Sequence, residues 1–481
     1  YGMPWIRPTA NAGVADTTLL PLDPANYYGA KSDYNDGSAS MVTLSHVHRF
    51  EGSAELKTQV RAGQFERDQR AGAIRLAAAA QQPGGVAASL ANFGPATRLT
   101  RGNHLKIQDM DTVHLQSDFS DKFQALGVRH ELLAGFDFAH QKKKVYGARS
   151  AAQGGVTINK PTTTVGTPND GAWVDERSRV LRTTSDFEAK GWGIYAQDLV
   201  QVAPHWKLLG GLRYDSMDGD YNSYAIPSAA PGPVTTTAYR QKISEWSKRF
   251  GVLYQPTPLQ SYHFSYGTSF NTSGDTYSYS AATVNTPPES SRNIEISAKI
   301  DSADKRFTTR LAVFHAVKLN ERNTDPDLNI AVLSGKRHVA GAEIDITGRL
   351  TAKWEVYGSY MWMPDAKIDR GAEGAEGQGT RPSLTPRHSG TIWTTYQITP
   401  QLRVGGGLNF RSSQTPIRNP GWSAPGYVTA DLMAEYAIND RYSLKANLTN
   451  VTNKLYAEAL YPGHYIPGAG RLFQITASMK F

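Results

Sequence analysis

A period of two constrains this chain more than any other feature. In RLFQITASMKF, residues 471–481, Phe473, Ile475, Ala477, Met479 and Phe481 are apolar, and the alternate positions Gln474, Thr476, Ser478 and Lys480 are polar, with Leu472 the exception at the start of that face. Successive side chains of a strand point to opposite faces, so a strand written this way separates two different solvents. YSLKANLTN repeats the pattern, with Tyr442, Leu444, Ala446 and Leu448 set against Ser443, Lys445, Asn447 and Thr449. LRVGGGLNF sets Leu402, Val404, Leu408 and Phe410 against Arg403 and Asn409. HWKLLGGLRYD sets Trp206, Leu208, Leu212 and Tyr214 against Lys207, Arg213 and Asp215. AELKTQVRA sets Leu56, Val60 and Ala62 against Glu55, Lys57, Gln59 and Arg61.

The same alternation marks about 17 strands, beginning near residues 42, 55, 105, 128, 189, 206, 244, 260, 292, 306, 337, 354, 387, 402, 428, 442 and 471. Their connections alternate in length. FEGSA, VAPH, DSADK, LTAK, TPQ and INDR are tight, whereas the stretches near 67–104, 143–187, 218–243, 271–291, 365–386 and 452–469 are long. Short turns at one end and long loops at the other are the asymmetry of a transmembrane antiparallel β-barrel. Soluble β-sandwiches also alternate, but their strands are shorter and their loops follow no strict long and short order. Trp206, Trp354, Tyr436, Tyr442 and Phe481 fall at the short-turn ends, as an interfacial girdle requires.

Composition agrees with an all-β membrane protein. No apolar run approaches the roughly 18 residues of a spanning helix, and an alternating barrel strand keeps the mean hydropathy negative. The chain has no cysteine, which removes disulfides and thiolate sites. Its formal charge of +8 is spread along the sequence and forms no basic stripe, so no nucleic-acid partner is expected. The sequence opens on YGMPW with no signal-peptide pattern within it, which reads as an N-terminus processed away or a fragment. With residue 481 on the short-turn side, stepping back through the strands makes residues 1–41 an external loop and 42–481 the barrel. An odd count that starts outside leaves strands missing, so the sequence reads as a fragment unable to insert stably alone. The Ala-rich stretch 71–93 reads as a partly helical part of a loop.

Six segments resemble the barrel of TonB-dependent siderophore receptors: GIYAQDLVQVAPHWKLLGGLRYD, FGVLYQPTPLQSYHFSYGTSFN, PPESSRNIEISAKID, VAGAEIDITGRL, TPRHSGTIWTTYQIT and NLTNVTNKLYAEALYPGHYIPGAGRLFQITASMKF. YGMPWI, RAGQFERDQRA, LGVRHELLAGFDFA and NERNTDPD are most similar to the subgroup that takes up iron held by catecholate siderophores. The resemblance implies a parent barrel of 22 strands in the bacterial outer membrane. It also implies an N-terminal plug that links it to the TonB energy-coupling complex, and neither plug nor coupling box is in this sequence. It further implies that a terminal strand carrying Phe473, Ile475 and Phe481 is read by the barrel-assembly machinery.

Sequence motifs give no catalytic centre: HExxH and GxSxG are both missing, and His46 with His48 reads as a wall-lining pair. Iron would arrive already chelated, so no cofactor and no metal ligand are expected. A ferric tris-catecholate is a bulky, flat-faced anion, which calls for aromatic surfaces and positive charge at the outer mouth. The candidates are Trp5, Arg7, Tyr27, Tyr28, Arg322, Tyr461 and Tyr465, with Tyr34, Tyr146, Arg149, Tyr221, Tyr277 and Arg381 as further loop residues. Arg213, Asp215, Arg403, Asp431, Glu435 and Lys445 are expected to line the lumen and face the plug. Lys142, Lys143 and Lys144 lie where a strand leaves the membrane, where lipopolysaccharide phosphates would attract them. Competing functions are a passive diffusion porin and uptake of haem, cobalamin or a hydroxamate chelate.

Overall fold

The computed structural model describes residues 3–4, 22–23, 25–89, 91–227, 232–271, 278–281, 283–325, 330–371, 378–416, 423–460 and 464–480, without the side chains of 3–4, 322–325, 330–334 and 464. In chain order the strands are β1 (Met3–Pro4), β2 (Tyr34–Arg49), β3 (Glu55–Leu76), β4 (Arg98–Ala125), β5 (Val128–Ala148), β6 (Thr163–Thr164) and β7 (Leu181–Ala203). There follow β8 (Trp206–Ala225), β9 (Thr235–Thr257), β10 (Gln260–Asn271), β11 (Glu289–Asp301), β12 (Phe307–Asp325), β13 (Ile330–Thr351) and β14 (Trp354–Arg370). The chain closes with β15 (His388–Gln397), β16 (Leu402–Arg411), β17 (Tyr427–Ala437), β18 (Tyr442–Thr449), β19 (Ala457–Leu460), β20 (His464–Pro467) and β21 (Leu472–Met479).

Among the described residues seventeen long strands form one antiparallel sheet with a barrel's course, which the two-residue β6 joins through β4, while β1, β19 and β20 lie outside it. Each long strand pairs with the next along the chain, β5 with β7 and β18 with β21 included. Among the described residues no register joins β2 to β21. β2 pairs with β3 alone and β21 with β18 alone, and the exposure of both strands on both faces agrees with that.

The alternation holds in register around the wall. Arg403 lies opposite Glu435, Glu435 opposite Lys445, and Lys445 opposite Thr476. One position over, Tyr396, Val404, Ala434, Ala446 and Ile475 form a continuous apolar row. The first set faces the lumen and the second faces lipid. Two aromatic girdles bound the apolar band. Trp206 stacks on Tyr254 at 4.4 Å at the short-turn end, while Tyr214 packs between Trp192 at 5.5 Å and Trp246 at 5.0 Å at the long-loop end. Trp206 and Tyr214 are eight positions apart on β8, about 20 Å of membrane normal at a tilt near 40°, close to the roughly 25 Å band of such barrels.

The strands run far beyond that band. β4 has 28 residues and β7 has 23, against the roughly 9–11 needed to cross. This extension corrects several boundaries read from sequence. Strands that start at a short turn begin where alternation places them, at Glu55, Val128, Trp206, Gln260, Trp354, Leu402 and Tyr442. Most of those that start at a long loop begin several residues earlier, so the barrel opens at Tyr34 and not at residue 42. Outside the bilayer both faces of a hairpin meet water or loops, so the ladder continues after the alternation ends. The Ala-rich stretch is also corrected: Ala71–Leu76 belong to β3, and among the described residues that follow the helical content is two three-residue 3₁₀ turns, Ala79–Gln81 and Pro83–Gly85.

Loops from both ends of the sheet meet in a cap on the extended β3–β4 hairpin. Leu22, Tyr28, Ile74 and Leu99 share one apolar cluster with Ala424, Ala457, Leu460 and Tyr465. Beside it runs a buried ionic chain: Lys160 lies 2.5 Å from Asp33 and 3.2 Å from Glu176, and Arg179 lies 2.5 Å from Glu176. β1, β20 and β19 add a small three-stranded sheet to the same region.

Candidate functional site

At the loop end of the inner wall, β16 finishes on Arg411, which lies opposite Tyr427 at the start of β17. Arg411 is in phase with Arg403, so it points inward. Its guanidinium carbon is 5.9 Å from the Tyr427 ring centroid, and the Tyr427 ring packs on Tyr456 at 4.4 Å with 33° between planes. Gly468 makes room for this pair, because a Cβ there would meet the Tyr456 ring at 1.9 Å. Next to them opens a cavity of about 370 Å³ lined by Leu384, Pro386, Ser389, Arg411, Gln414 and Glu458.

Arg411 has no ion pair among the described residues. Burial, reinforced by the Glu458 carboxylate, raises the pKa of the Tyr456 hydroxyl and keeps it protonated. The group therefore presents two flat rings and an uncompensated cation to the mouth of the barrel.

A second aromatic surface lies across the same mouth. Phe187, Tyr221 and Tyr239 occupy inward positions on β7, β8 and β9, and the loop residue Tyr279 folds onto them, 5.7 Å from Phe187 and 6.3 Å from Tyr221. Gly219 allows that approach, since a Cβ would meet the Tyr279 hydroxyl oxygen at 2.6 Å. The Gln241 side chain donates to the Thr283 and Thr286 carbonyls at 3.4 and 3.3 Å and holds the loop down.

The ligand candidates read from sequence are placed differently. Tyr28 and Tyr465 are core residues of the cap, 3 % and 0 % exposed, and offer no face to a ligand. The Tyr28 hydroxyl donates to the Val165 carbonyl at 3.0 Å, and burial pushes the Tyr465 hydroxyl up to about 12. Half-buried Tyr27 donates to the Ala30 carbonyl at 3.2 Å. Arg381 donates to the carbonyls of Met363 at 2.6 Å and Pro364 at 3.1 Å. Tyr34 and Tyr146 donate to Asp68 and Asp109, at 3.2 and 2.7 Å, and Arg149 donates to the Gln153 carbonyl at 3.2 Å. Trp5, Arg7, Tyr277 and Tyr461 lie outside the described residues, as does the side chain of Arg322 on β12. Sequence reasoning missed Arg411, Tyr427 and Tyr456 because it searched loops, whereas two of the three end strands.

The six lumen candidates all fall on the inward face. Arg213 is held by Asp137 at 2.6 Å and Asp215 at 2.5 Å, and Arg403 by Glu435 at 2.6 Å. Asp431 accepts from the Asn409 side chain at 3.0 Å and from the Asn450 backbone at 2.8 Å. Lys445 lies opposite Glu435. Phe473 and Ile475 stand on the lipid face, 61 % and 65 % exposed, and Phe481 is outside the described residues. His46 and His48 share the lipid face of β2 with Leu44, with rings 6.4 Å apart, and do not line the lumen. Among the described residues no three His, Asp or Glu side chains converge as a metal site.

Residues 2–451 match the family described as TonB dependent receptor-like, beta-barrel. The chain belongs to that family. This places it in the bacterial outer membrane, among receptors and transporters. The catecholate siderophore receptor Fiu of Escherichia coli K12 is 25 % identical over 517 residues, covering 100 % of this chain and 65 % of Fiu. The probable TonB-dependent siderophore receptor PiuA of Acinetobacter baumannii is 27 % identical over 409 residues, covering 78 % of this chain and 53 % of PiuA. The crystal structure of the closed form of Fiu superposes with a TM-score of 0.84 at 22 % identity, over 100 % of this chain and 70 % of that one. That of PiuA also gives 0.84, at 23 % identity, over 99 % and 69 %. The TonB-dependent receptor barrel thus accounts for the fold, and the chain spans less than two thirds of these curated relatives.

Proposed function

We propose that the protein containing this barrel imports a ferric siderophore of the catecholate class by TonB-dependent active transport, and that the ligand is captured at the mouth by Arg411, Tyr427 and Tyr456. The supporting observation is a guanidinium with no ion pair among the described residues, set on a tilted, closely packed tyrosine pair beside a cavity. A ferric tris-catecholate carries negative charge on flat aromatic faces, and this arrangement meets both properties at once. Relatives named as catecholate siderophore receptors support the substrate class. The inward charged residues Arg213, Asp215, Arg403, Asp431, Glu435 and Lys445 would contact a plug domain, through which the TonB complex acts. The apolar face of β21 would serve the barrel-assembly machinery. Iron enters as substrate already chelated, and the reading includes no enzymatic step.

The test is uptake of radioactive iron by a receptor-null strain expressing the full-length gene. Ferric catecholate uptake that depends on TonB supports the proposal. Uptake of haem, cobalamin or a ferric hydroxamate in its place overturns the substrate class. TonB-independent passage of small solutes would make the protein a porin.

A further inference from the structure

The cavity beside Arg411 is walled by groups of opposite charge. Ser389, Arg411 and Gln414 line it from the loop ends of β15 and β16, and Glu458 and Leu460 line it from β19. Strand β19 carries a bulge. Ala457 lies opposite Pro467 and Ala459 opposite Ile466, so Glu458 is the extra residue between them. Ala457 and Leu460, three positions apart, are both buried in the cap cluster, at 3 % and 2 % exposed, which a strand of strict period two does not allow. The extra residue restores the phase and turns Glu458 out of the cap, a use to which bulges are commonly put beside functional sites.

The two walls do not neutralise each other. Among the described residues the Glu458 carboxylate has neither an ion pair nor a hydrogen bond, and Arg411 has no ion pair, although both border one cavity. Both act on the ring between them: burial raises the pKa of the Tyr456 hydroxyl most, Glu458 raises it further and Arg411 lowers it. Gln414, 8 % exposed, lines the same space, and its side-chain amide has no hydrogen bond among the described residues; nor has the Ser389 hydroxyl. The cavity thus holds an open cation, an open anion and two open polar groups, each of which gains from a ligand that supplies its partner.

We propose that this cavity selects a ferric catecholate that also carries a protonated amine, with Glu458 receiving the ammonium group while Arg411 holds the anionic face. The inference rests on the reading of the mouth as the capture site, and adds a second charge to what it recognises. A wholly anionic chelate seated on Arg411 brings like charge up to Glu458 with nothing to offset it. An amine-bearing chelate gives the carboxylate a charge-assisted hydrogen bond instead. An ammonium group has three donors, and the Gln414 and Ser389 oxygens are further acceptors on the same cavity. Glu458 is therefore a specificity-determining residue, acting by attraction toward one ligand charge pattern and by repulsion of the other.

The test measures Kd by quenching of tryptophan fluorescence in the full-length receptor purified in detergent. Two probes are compared: the ferric complex of a synthetic hexadentate tris-catecholate bearing one primary amine, and the same complex N-acetylated. The parent should bind the amine form about 10-fold more tightly, the ratio that one charge-assisted hydrogen bond supplies. Glu458→Gln should bring that ratio to about one, and Glu458→Lys should invert it, a reversal that misfolding cannot produce. Arg411→Gln should weaken both probes alike. Equal binding of the two probes by the parent overturns the inference, as does a preference that survives in Glu458→Gln; if Arg411→Gln still binds both weakly, the capture site itself stands. Undiminished binding of both probes by Arg411→Gln overturns the capture site and this inference with it.

Discussion

Tyr28 and Tyr465 are buried in the same apolar cluster although they come from opposite ends of a sheet whose end strands share no ladder. The cap therefore ties the two ends together on the loop side. Removing the Tyr465 ring should cost about 3–5 kcal/mol of local stability, the usual price of a large aromatic lost from a packed site. Tyr27→Ala, at a half-buried position, should cost less. Limited proteolysis between residues 423 and 460 measures the difference, with Tyr465→Ala cut well before Tyr27→Ala.

The ionic chain under the cap makes a second prediction. Lys160 has no exposed side-chain surface and lies between two buried carboxylates, so Lys160→Ala leaves Asp33 without its cation while Glu176 keeps Arg179, and should destabilise the cap by about 3–5 kcal/mol. Hydrogen exchange at the amide of Gly72, which donates to Asp33 at 2.8 Å, should accelerate accordingly.

Acid should loosen the same region. Burial by itself would raise the Glu176 carboxyl, but Arg179 and Lys160 outweigh it and the net direction is downward from 4.5. A depressed folded pKa contributes stability that is full above the unfolded value and lost as pH falls through the folded one. Protease sensitivity of 157–179 should be flat above about pH 5 and rise below about pH 4. Glu176→Gln should shrink the pH-dependent step and leave the part due to Asp170, where burial raises the carboxyl but Arg101 and its other hydrogen-bond donors hold it below its usual range.

The face assignment predicts opposite outcomes for neighbouring substitutions. Ile296 is 63 % exposed on the lipid face of β11, and Ser297 lies next to it on the lumen face. Ile296→Arg should destabilise the barrel by about 2–4 kcal/mol, and Ser297→Arg should be tolerated. The yield of heat-modifiable protein in outer membranes distinguishes them.

The wall was legible in the sequence because the bilayer writes on it. Between Trp206 and Tyr214 every second residue must suit lipid, so strand number, turn ends and inward charges such as Arg403 and Glu435 could be read from a period of two. Above Tyr214 that pressure stops. Strands such as Arg98–Ala125 continue on backbone ladders that leave no alternating record. The site was harder to read for a related reason. Aromatic residues of long loops look like ligand contacts, but Tyr28 and Tyr465 fill the cap's core, a role fixed by packing between distant segments. Arg411 was within reach, since it continues the inward phase of Arg403, while its partnership with Tyr456 arises only when the loop after β18 folds back.

The central claim is that the mouth captures an anionic, flat-faced iron chelate on Arg411, Tyr427 and Tyr456. Its most direct test is the iron anomalous signal from crystals of the full-length receptor soaked with a ferric tris-catecholate, for the parent and for Arg411→Gln. The account predicts an iron peak in the mouth beside the Tyr427 and Tyr456 rings, greatly weakened in the variant. A peak elsewhere in the barrel, or one of equal strength without the guanidinium, would contradict it.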